Sequence, residues 1–469
     1  MKGSTRLVLT LAGLSLTVFF VTRAVGQIGS PWDLGYPESA LVYKILAVSQ
    51  GQALYTDWNK EPYAIAPYTP IYYLAAGWLA AALRLGLPAI YILSRGLSLA
   101  ATLMSSGVIY ILSRRLGVSK YVSWMGSGIF LSSPLLLPWG YTSRPDALAL
   151  LFSLMAMMMI VRGGRFSFWL SALFAVLAFY TKQVYVSAIT AIVVYWLVNK
   201  EYKRATELAA TVTLAVLIVF SLGNSITGGE FYRNVVLANK VHFDFSNILW
   251  VLAYVLTYNF YTVGLASLSF RIEFRKDGIR RLVRIYFGLS AVVAILLSFK
   301  PGTDVNYYLE PMAVGTLLAG VSLDWLIRRV EKTGLVWLLG TGYVLMVMDA
   351  ALVRSDRLEL WRGGMLNLAA ISGPVLTQDP GLALRTGHEL VISDAFNFSF
   401  LADQRLWDPA KLVGMIDEKK YEVIVLLSDV NNLEKYGGVT TWPKSLVDPI
   451  VNNYELVYYG GRNFVYLPK

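Results

Sequence analysis

The sequence predicts an α-helical polytopic membrane protein of about eleven transmembrane helices, followed by a small C-terminal α/β domain. Three observations predict it. Of the 469 residues, 56% are hydrophobic and only 15% charged, with a mean hydropathy of +0.53, more apolar surface than a water-soluble core of this length can enclose. Uncharged stretches near the length needed to cross hydrocarbon recur from Leu7 to Met348. From Arg354 onward the chain turns polar and reads as a small α/β unit with strand-like segments.

Span starts fall near Leu7, Ala89, Tyr121, Ala147, Phe166, Val184, Ala205, Ile248, Ile285, Tyr307 and Thr333. The first lacks a small-residue cleavage site and reads as a retained span. Residues 71–83 offer thirteen uncharged residues before Arg84, a length that suits a re-entrant or interfacial helix. Residues 311–323 are equally short, so charge decides between them. With 71–83 left non-spanning, the basic clusters at Lys2/Arg6, Arg114/Arg115/Lys120, Arg162/Arg165, Lys200/Lys203/Arg204, residues 271–284 and Arg328/Arg329/Lys332 all share one side. The positive-inside rule makes that side cytoplasmic. A plasma-membrane protein with a cytoplasmic N-terminus is expected, with residues 1–353 as the membrane module and 354–469 as an extracytoplasmic domain. The outer side also carries a long first loop, residues 27–88, and a loop at 223–247. In the tail, residues 389–393 and 421–427 read as strands and 454–467 as a hairpin turning at Gly460–Gly461.

Composition excludes several functions. The formal charge of +11 lies in short inter-span loops, so topology explains it better than a nucleic-acid partner. There are no cysteines, which removes disulfides, thiolate metal sites and cysteine nucleophiles. Two histidines, His242 and His388, do not make a zinc site, so any metal would be a hard ion such as Mg²⁺ or Mn²⁺ on carboxylates.

The outer face collects the polar residues that could carry chemistry. In the first loop stand Asp33 and Glu38, an amphipathic stretch at 39–48, then Asp57, Lys60, Glu61 and Tyr68. Acids and aromatics interleaved with interfacial helices suit a lipid-borne substrate, and they equally suit solvated loop acids or a helix cap. Arg144 and Asp146 flank Pro145 at the start of the fourth span, where a carboxylate could cap the helix, hold a metal or orient an acceptor, and an arginine could hold phosphate. Lys182 interrupts the apolar run 166–198; it either snorkels to the surface or neutralises a lipid phosphate, and Arg95 is a similar case. Asn306, Tyr307 and Glu310 bring donors and acceptors to the outer mouth of a helix, although a tyrosine at this depth is also an ordinary interfacial anchor. Asp324, beside Arg328, reads as a paired structural acid at the cytoplasmic end.

The acidic first loop, the stretches 51–55 and 68–72, Arg144-Pro-Asp146, Thr181-Lys-Gln183 and residues 306–310, in this order and on one side, resemble the GT-C superfamily of glycosyltransferases, particularly its protein O-mannosyltransferase-like and aminoarabinose-transferase-like branches. The resemblance implies transfer of a sugar from a polyprenyl-phosphate carrier to a lipid, glycan or protein acceptor on the extracytoplasmic face. It implies a first-loop carboxylate as base or metal ligand and basic residues on the carrier phosphate. The adjacent Asp-Glu pair of those families is Pro37-Glu38 here, with an aspartate only at Asp33, which leaves the base open. Asp33, Glu38 and Asp146 are therefore the catalytic candidates and the candidate ligands of a divalent cation. Arg95, Arg144, Lys182, Asn306, Tyr307, Glu310, Asp57 and Tyr68 are the substrate- and phosphate-binding candidates. A sugar hydroxyl is a poor nucleophile and needs a positioned carboxylate, while a phosphate leaving group needs cations. A transporter or flippase for a lipid-linked sugar, or a non-catalytic binding subunit, is the alternative. Against it, the polar residues gather on one face and no inverted halves are discernible.

Overall fold

The computed structural model describes residues 3–241, 243–272, 278–329, 340–344, 347–348, 368, 371–436, 439–460 and 463–469. Helices stand at ten of the expected span positions: α1 (Gly3–Ile28), α4 (Leu87–Arg115), α5 (Lys120–Ser132), α6 (Asp146–Arg162), α7 (Arg165–Thr181), α8 (Ser187–Val198), α9 (Tyr202–Ile226), α11 (Phe245–Ser269), α12 (Gly278–Leu297) and α13 (Leu309–Arg329). The span expected near Thr333 lies mostly outside the described residues. Among the described helices, five are both long and apolar enough to cross a membrane: Gly3–Ile28, Leu87–Arg115, Tyr202–Ile226, Asn247–Ser269 and Val305–Arg329. The first loop folds into α2 (Glu38–Ser49) and α3 (Ile71–Ala82), and α10 (Glu230–Val235) follows α9. At 12 residues α3 is about 18 Å long, well short of the hydrocarbon thickness, and it leaves Trp78, Leu79 and Leu83 exposed. The 12 residues of α8 and 13 of α5 are just as short, so length does not separate α3 from them.

Side-chain chemistry explains how the bundle closes. The outward apolar residues of α1 and α9 (Leu7, Leu11, Val18, Leu214, Leu217, Ile218) are exposed, as lipid-facing surface requires, while most of α13 is buried. Gly128 of α5 sits on the backbone of Gly13, only 3.1 Å from its Cα to any added Cβ, so the two helices pack backbone to backbone. One end of the bundle gathers basic residues onto helix C-termini. Arg280 donates to the Leu116 carbonyl beyond α4, Arg284 donates to carbonyls beyond α11, and Asp324 pairs with Arg328 at 2.8 Å, as expected. The opposite end carries α2, α3 and the acidic and aromatic loops.

The C-terminal part is a four-stranded mixed sheet in the order β1-β2-β6-β5, built from β1 (Val375–Thr377), β2 (Val423–Leu426), β5 (Tyr454–Gly460) and β6 (Asn463–Pro468); β3 (Lys435–Tyr436) and β4 (Val439–Thr440) pair separately. Helices α14 (Pro380–Thr386), α15 (Ala395–Asp403), α16 (Ala410–Asp417) and α17 (Val447–Asn453) accompany it. The expected strand at 421–427 and the hairpin are present, the hairpin turn itself lying outside the described residues. Residues 389–393 are not a strand of this sheet. They make one parallel bridge, Ile392 to Tyr63 of the first loop, with Tyr63 N–H donating to Val391 and Ser393 N–H donating to Tyr63, both at 2.9 Å. Trp58 and Tyr63 also enter the hydrophobic core of the tail, with Tyr63 edge-on to Trp407 at 5.4 Å. First loop and tail are thus folded into each other.

Candidate functional site

Two polar centres stand at the loop-bearing end. The first forms where α6 begins, α7 ends and the 300–308 turn enters α13. Asp146 opens α6 after Pro145 but makes no cap to its own helix. Its Oδ1 accepts from Lys182 Nζ at 2.6 Å and from Asn306 Nδ2 at 2.8 Å. Arg144 donates to the Tyr68 hydroxyl at 2.6 Å and to the Tyr36 carbonyl at 3.3 Å. Its Nε lies 3.7 Å from Asp146 Oδ2, and both of those buried atoms lack a hydrogen-bond partner. Lys182 caps α7 and is 1% exposed, so it does not snorkel; its ammonium lies against the rings of Tyr307 at 4.4 Å and Tyr68 at 5.4 Å. Two cations against one carboxylate leave this centre net positive. Lys300 adds to the field nearby, its ammonium lowered to about 8 by burial and by Lys182, while it donates to Asn239 at 2.8 Å.

The second centre lies between the first loop and the tail. Asp33 Oδ2 accepts from the Ser39 N–H at 2.9 Å, and Oδ1 accepts from the Ser39 hydroxyl and from Arg385 Nη1 at 3.2 Å. Ser39 also meets the Tyr91 hydroxyl. Arg385 reaches Asp379 at 3.4 Å and lies over the Trp32 ring at 5.0 Å. Burial, with the charges of Asp379 and Glu38, raises Asp33 to about 7 against the opposing pull of Arg385 and Ser39. Tyr36 ties the first centre to the tail: its carbonyl accepts from Arg144, and its hydroxyl donates to Asp394 at 3.3 Å.

Glu38 and Arg95 belong to neither centre. They form a fully buried fork–fork pair, with Nε to Oε1 at 2.9 Å and Nη2 to Oε2 at 2.8 Å. Glu38 also accepts from the N–H groups of Leu34 and Ser143, each at 2.7 Å. Although burial opposes it, those hydrogen bonds and the Arg95 charge hold the Glu38 carboxyl below its ordinary range. The remaining guanidinium donors of Arg95 go to the carbonyls of Ile28, Ser30 and Trp32. The pair therefore staples the first loop to α4 and to the turn before α6. Two further expected site residues sit elsewhere. Asp57 accepts from Arg233 at 3.3 Å and from the Asn59 N–H at 3.0 Å. Glu310 accepts from Ser153 and from Tyr286 at 2.8 Å, within the packing of α6, α12 and α13.

The three carboxylates considered for a divalent cation are not brought together: each faces a different cation, Arg385, Arg95 or Lys182. Among the described residues no group of three or more His, Asp or Glu could hold a metal. The donor set does not fit a shared carboxylate-held ion. Arg385, Asp379, Ser39, Tyr91 and Asp394, which the structure places at or beside these centres, are not singled out by the sequence. The Asp379-Pro380 pair is a helix-start signal, and Asp379 does accept from Gly381 N–H at 2.8 Å, but nothing local tells where that helix docks.

No protein-family model matches the sequence, and no curated protein does. The fold does have counterparts. ArnT from Cupriavidus metallidurans superposes with a TM-score of 0.60 over 97% of this chain and 98% of its own, at 14% identity; the same protein bound to undecaprenyl phosphate gives 0.57 over 96% and 97%, at 15% identity. The Archaeoglobus fulgidus oligosaccharyltransferase tethered to an acceptor peptide gives 0.56 over 97% of this chain and 74% of its own, at 10% identity. The oligosaccharyltransferase AglB from Archaeoglobus fulgidus, in complex with an inhibitory peptide and a dolichol-phosphate, gives 0.54 over the same shares, at 10% identity. Over nearly its full length the chain shares the fold of these solved structures, ArnT and the Archaeoglobus fulgidus oligosaccharyltransferase.

Proposed function

We propose that the protein is a membrane glycosyltransferase that moves a sugar from a polyprenyl-phosphate carrier to an acceptor hydroxyl on the extracytoplasmic face. The observation that carries this reading is the buried, net-positive centre of Lys182, Arg144 and Asp146, with Arg144 Nε and Asp146 Oδ2 still lacking hydrogen-bond partners. Buried polar atoms are normally satisfied, and a pair left open in a net-positive centre suits a ligand with anionic and hydroxyl groups, as a sugar phosphate has. The clustering of basic residues on helix termini at the other end supports placing that end in the cytoplasm.

In the proposed reaction the acceptor hydroxyl attacks the anomeric carbon as the bond from that carbon to the carrier phosphate oxygen breaks. The electron pair leaves with the phosphate, whose growing charge Lys182 and Arg144 stabilise, and the anomeric configuration inverts. The proton passes to Asp33. Of the three candidate acids, Asp33 is the one poised near neutrality, where a general base is most effective. Glu38 already accepts four hydrogen bonds, and Asp146 is tied to Lys182.

Purified protein in detergent, given a panel of labelled polyprenyl-phosphate sugars and a membrane extract as acceptor, tests this reading. Donor loss matched by labelled product, abolished in Asp33→Asn and Lys182→Ala, is expected. Tight donor binding with no turnover in wild type would refute the enzyme and favour a carrier or binding subunit.

A further inference from the structure

The contact between α14 and the first loop goes beyond what two packed surfaces need. Gly381, in the first turn of α14, lies so close to the loop that an added Cβ would fall on Ser39 Oγ, 2.6 Å from Arg385 Nη1 and 3.0 Å from Asp33 Oδ1. Four residues on, Arg385 reaches across this gap to Asp33 at 3.2 Å, its guanidinium over the Trp32 ring, while its other terminal nitrogen meets Asp379. A side chain 352 positions away in sequence therefore supplies the cation of the first-loop carboxylate. We infer that Arg385 is a positioning residue for the transfer reaction: the tail domain completes the acceptor-side base by fixing the direction and ionisation of Asp33. The inference rests on Asp33 being that base.

The charged and titratable groups facing Asp33 are Asp379 at the N-cap of α14, Arg385 from α14, Glu38 from α2, and Tyr91 and Arg95 from α4. The first and third push its ionisation to higher pH and Arg385 pulls it lower. Removing Arg385 must shift the ionisation of Asp33 upward, by about 1–3 pH units for loss of an adjacent opposite charge. Removing the charge of Asp379 must shift it downward. Asp379→Asn keeps the side-chain oxygen that accepts from Gly381, so α14 retains its cap. These opposite signs distinguish electrostatic positioning from a general loss of packing.

The experiment is the pH profile of kcat/KM for transfer in wild type, Arg385→Ala, Arg385→Lys and Asp379→Asn, with donor affinity measured alongside. The expected result is an acid limb displaced upward in Arg385→Ala, with rates about tenfold lower per unit of displacement below it, largely restored in Arg385→Lys and displaced downward in Asp379→Asn, with donor affinity unchanged throughout. A limb that stays in place in all variants, or a uniform fall across pH, overturns the inference and leaves the transferase reading intact. Absence of turnover in wild type refutes the transferase reading itself. The inference is then judged on resting protein, from the titration of the carboxyl infrared band that Asp33→Asn removes. That midpoint must move up in Arg385→Ala and down in Asp379→Asn, and a midpoint that does not move overturns it.

Discussion

Replacing Lys182 with methionine separates two roles that the ammonium could play, neutralising Asp146 or binding a donor phosphate. The side chains of Lys182 and Asp146 are 2% and 0% exposed and meet at 2.6 Å. Removing one partner of such a pair strands a buried charge and costs about 3–5 kcal/mol. Arg144, 3.7 Å from the other carboxylate oxygen, remains as partial compensation, so the lower end, about 3 kcal/mol, is expected for Lys182→Met. If the ammonium also binds the donor phosphate, its loss removes a charge-assisted hydrogen bond worth about 1.5–3 kcal/mol, roughly ten- to a hundredfold in donor affinity.

The double variant Lys182→Met/Asp146→Asn makes the distinction. Asparagine at 146 keeps an oxygen for Asn306 while removing the stranded charge, so thermal melting in detergent recovers most of the loss. Donor affinity, read by titration with an unlabelled polyprenyl phosphate, stays low. If affinity returned together with the melting temperature, Lys182 would be a counter-ion for Asp146 and nothing more, and the assignment of the donor site would fail.

Arg95→Ala leaves Glu38 buried without its guanidinium and takes donors from the carbonyls of Ile28, Ser30 and Trp32; a loss of about 3–5 kcal/mol is expected, with transfer falling in proportion to folded protein at every pH. Glu38→Ala should behave in the same way, and a variant that melts normally yet transfers nothing would make Glu38 a chemical group after all. Gly381→Ala wedges α14 off Ser39, so limited proteolysis should show the tail released while donor affinity holds; unchanged transfer would speak against a working seam. The pH dependence of wild-type transfer carries the sign of Asp33: raised to about 7, it is ionised above that value, so the rate climbs as pH rises through it. Its contribution to stability runs the other way, because the fold favours the protonated form, and declines as pH rises from about 4 to about 7. A melting profile unaffected by Asp33→Asn across that window would contradict it.

The parts of this molecule that a reader of the sequence can reach are those governed by local free energy. Helix positions follow from apolar runs, because a backbone in hydrocarbon must bond to itself. Lys182 stands out because an ammonium in an apolar stretch is costly without a partner, and Arg144-Pro-Asp146 because proline sets a helix start. Asn306 and Tyr307 stand out as polar residues at the outer mouth of a helix, and both line the same centre. What sequence cannot supply is register between distant segments. Glu38 reads as one of three candidate acids, and only the fold shows Arg95 set against it from 57 residues away. Residues 389–393 carry the apolar run Leu390–Ile392 that reads as a strand, yet they bridge to Tyr63 of the first loop, which with Trp58 enters the tail core.

The hydrogen-bond state of each acid separates roles that composition leaves equal. A carboxylate offers about four acceptor positions. Glu38 has four donors, two from Arg95 and two backbone N–H groups, so protonating it would break a staple on which the first loop depends. Asp146 has two donors on one oxygen and none on the other, which makes it an acceptor for a hydroxyl beside a cationic centre. Asp33 has the Ser39 hydroxyl and N–H, and a single cation borrowed from the tail, so its charge can be tuned without unfolding the loop. If catalysis needs an acid that gains and loses a proton while its surroundings stay fixed, it is best served by the one whose cation arrives from the tail. Of the three acids considered, Asp33 alone meets that condition.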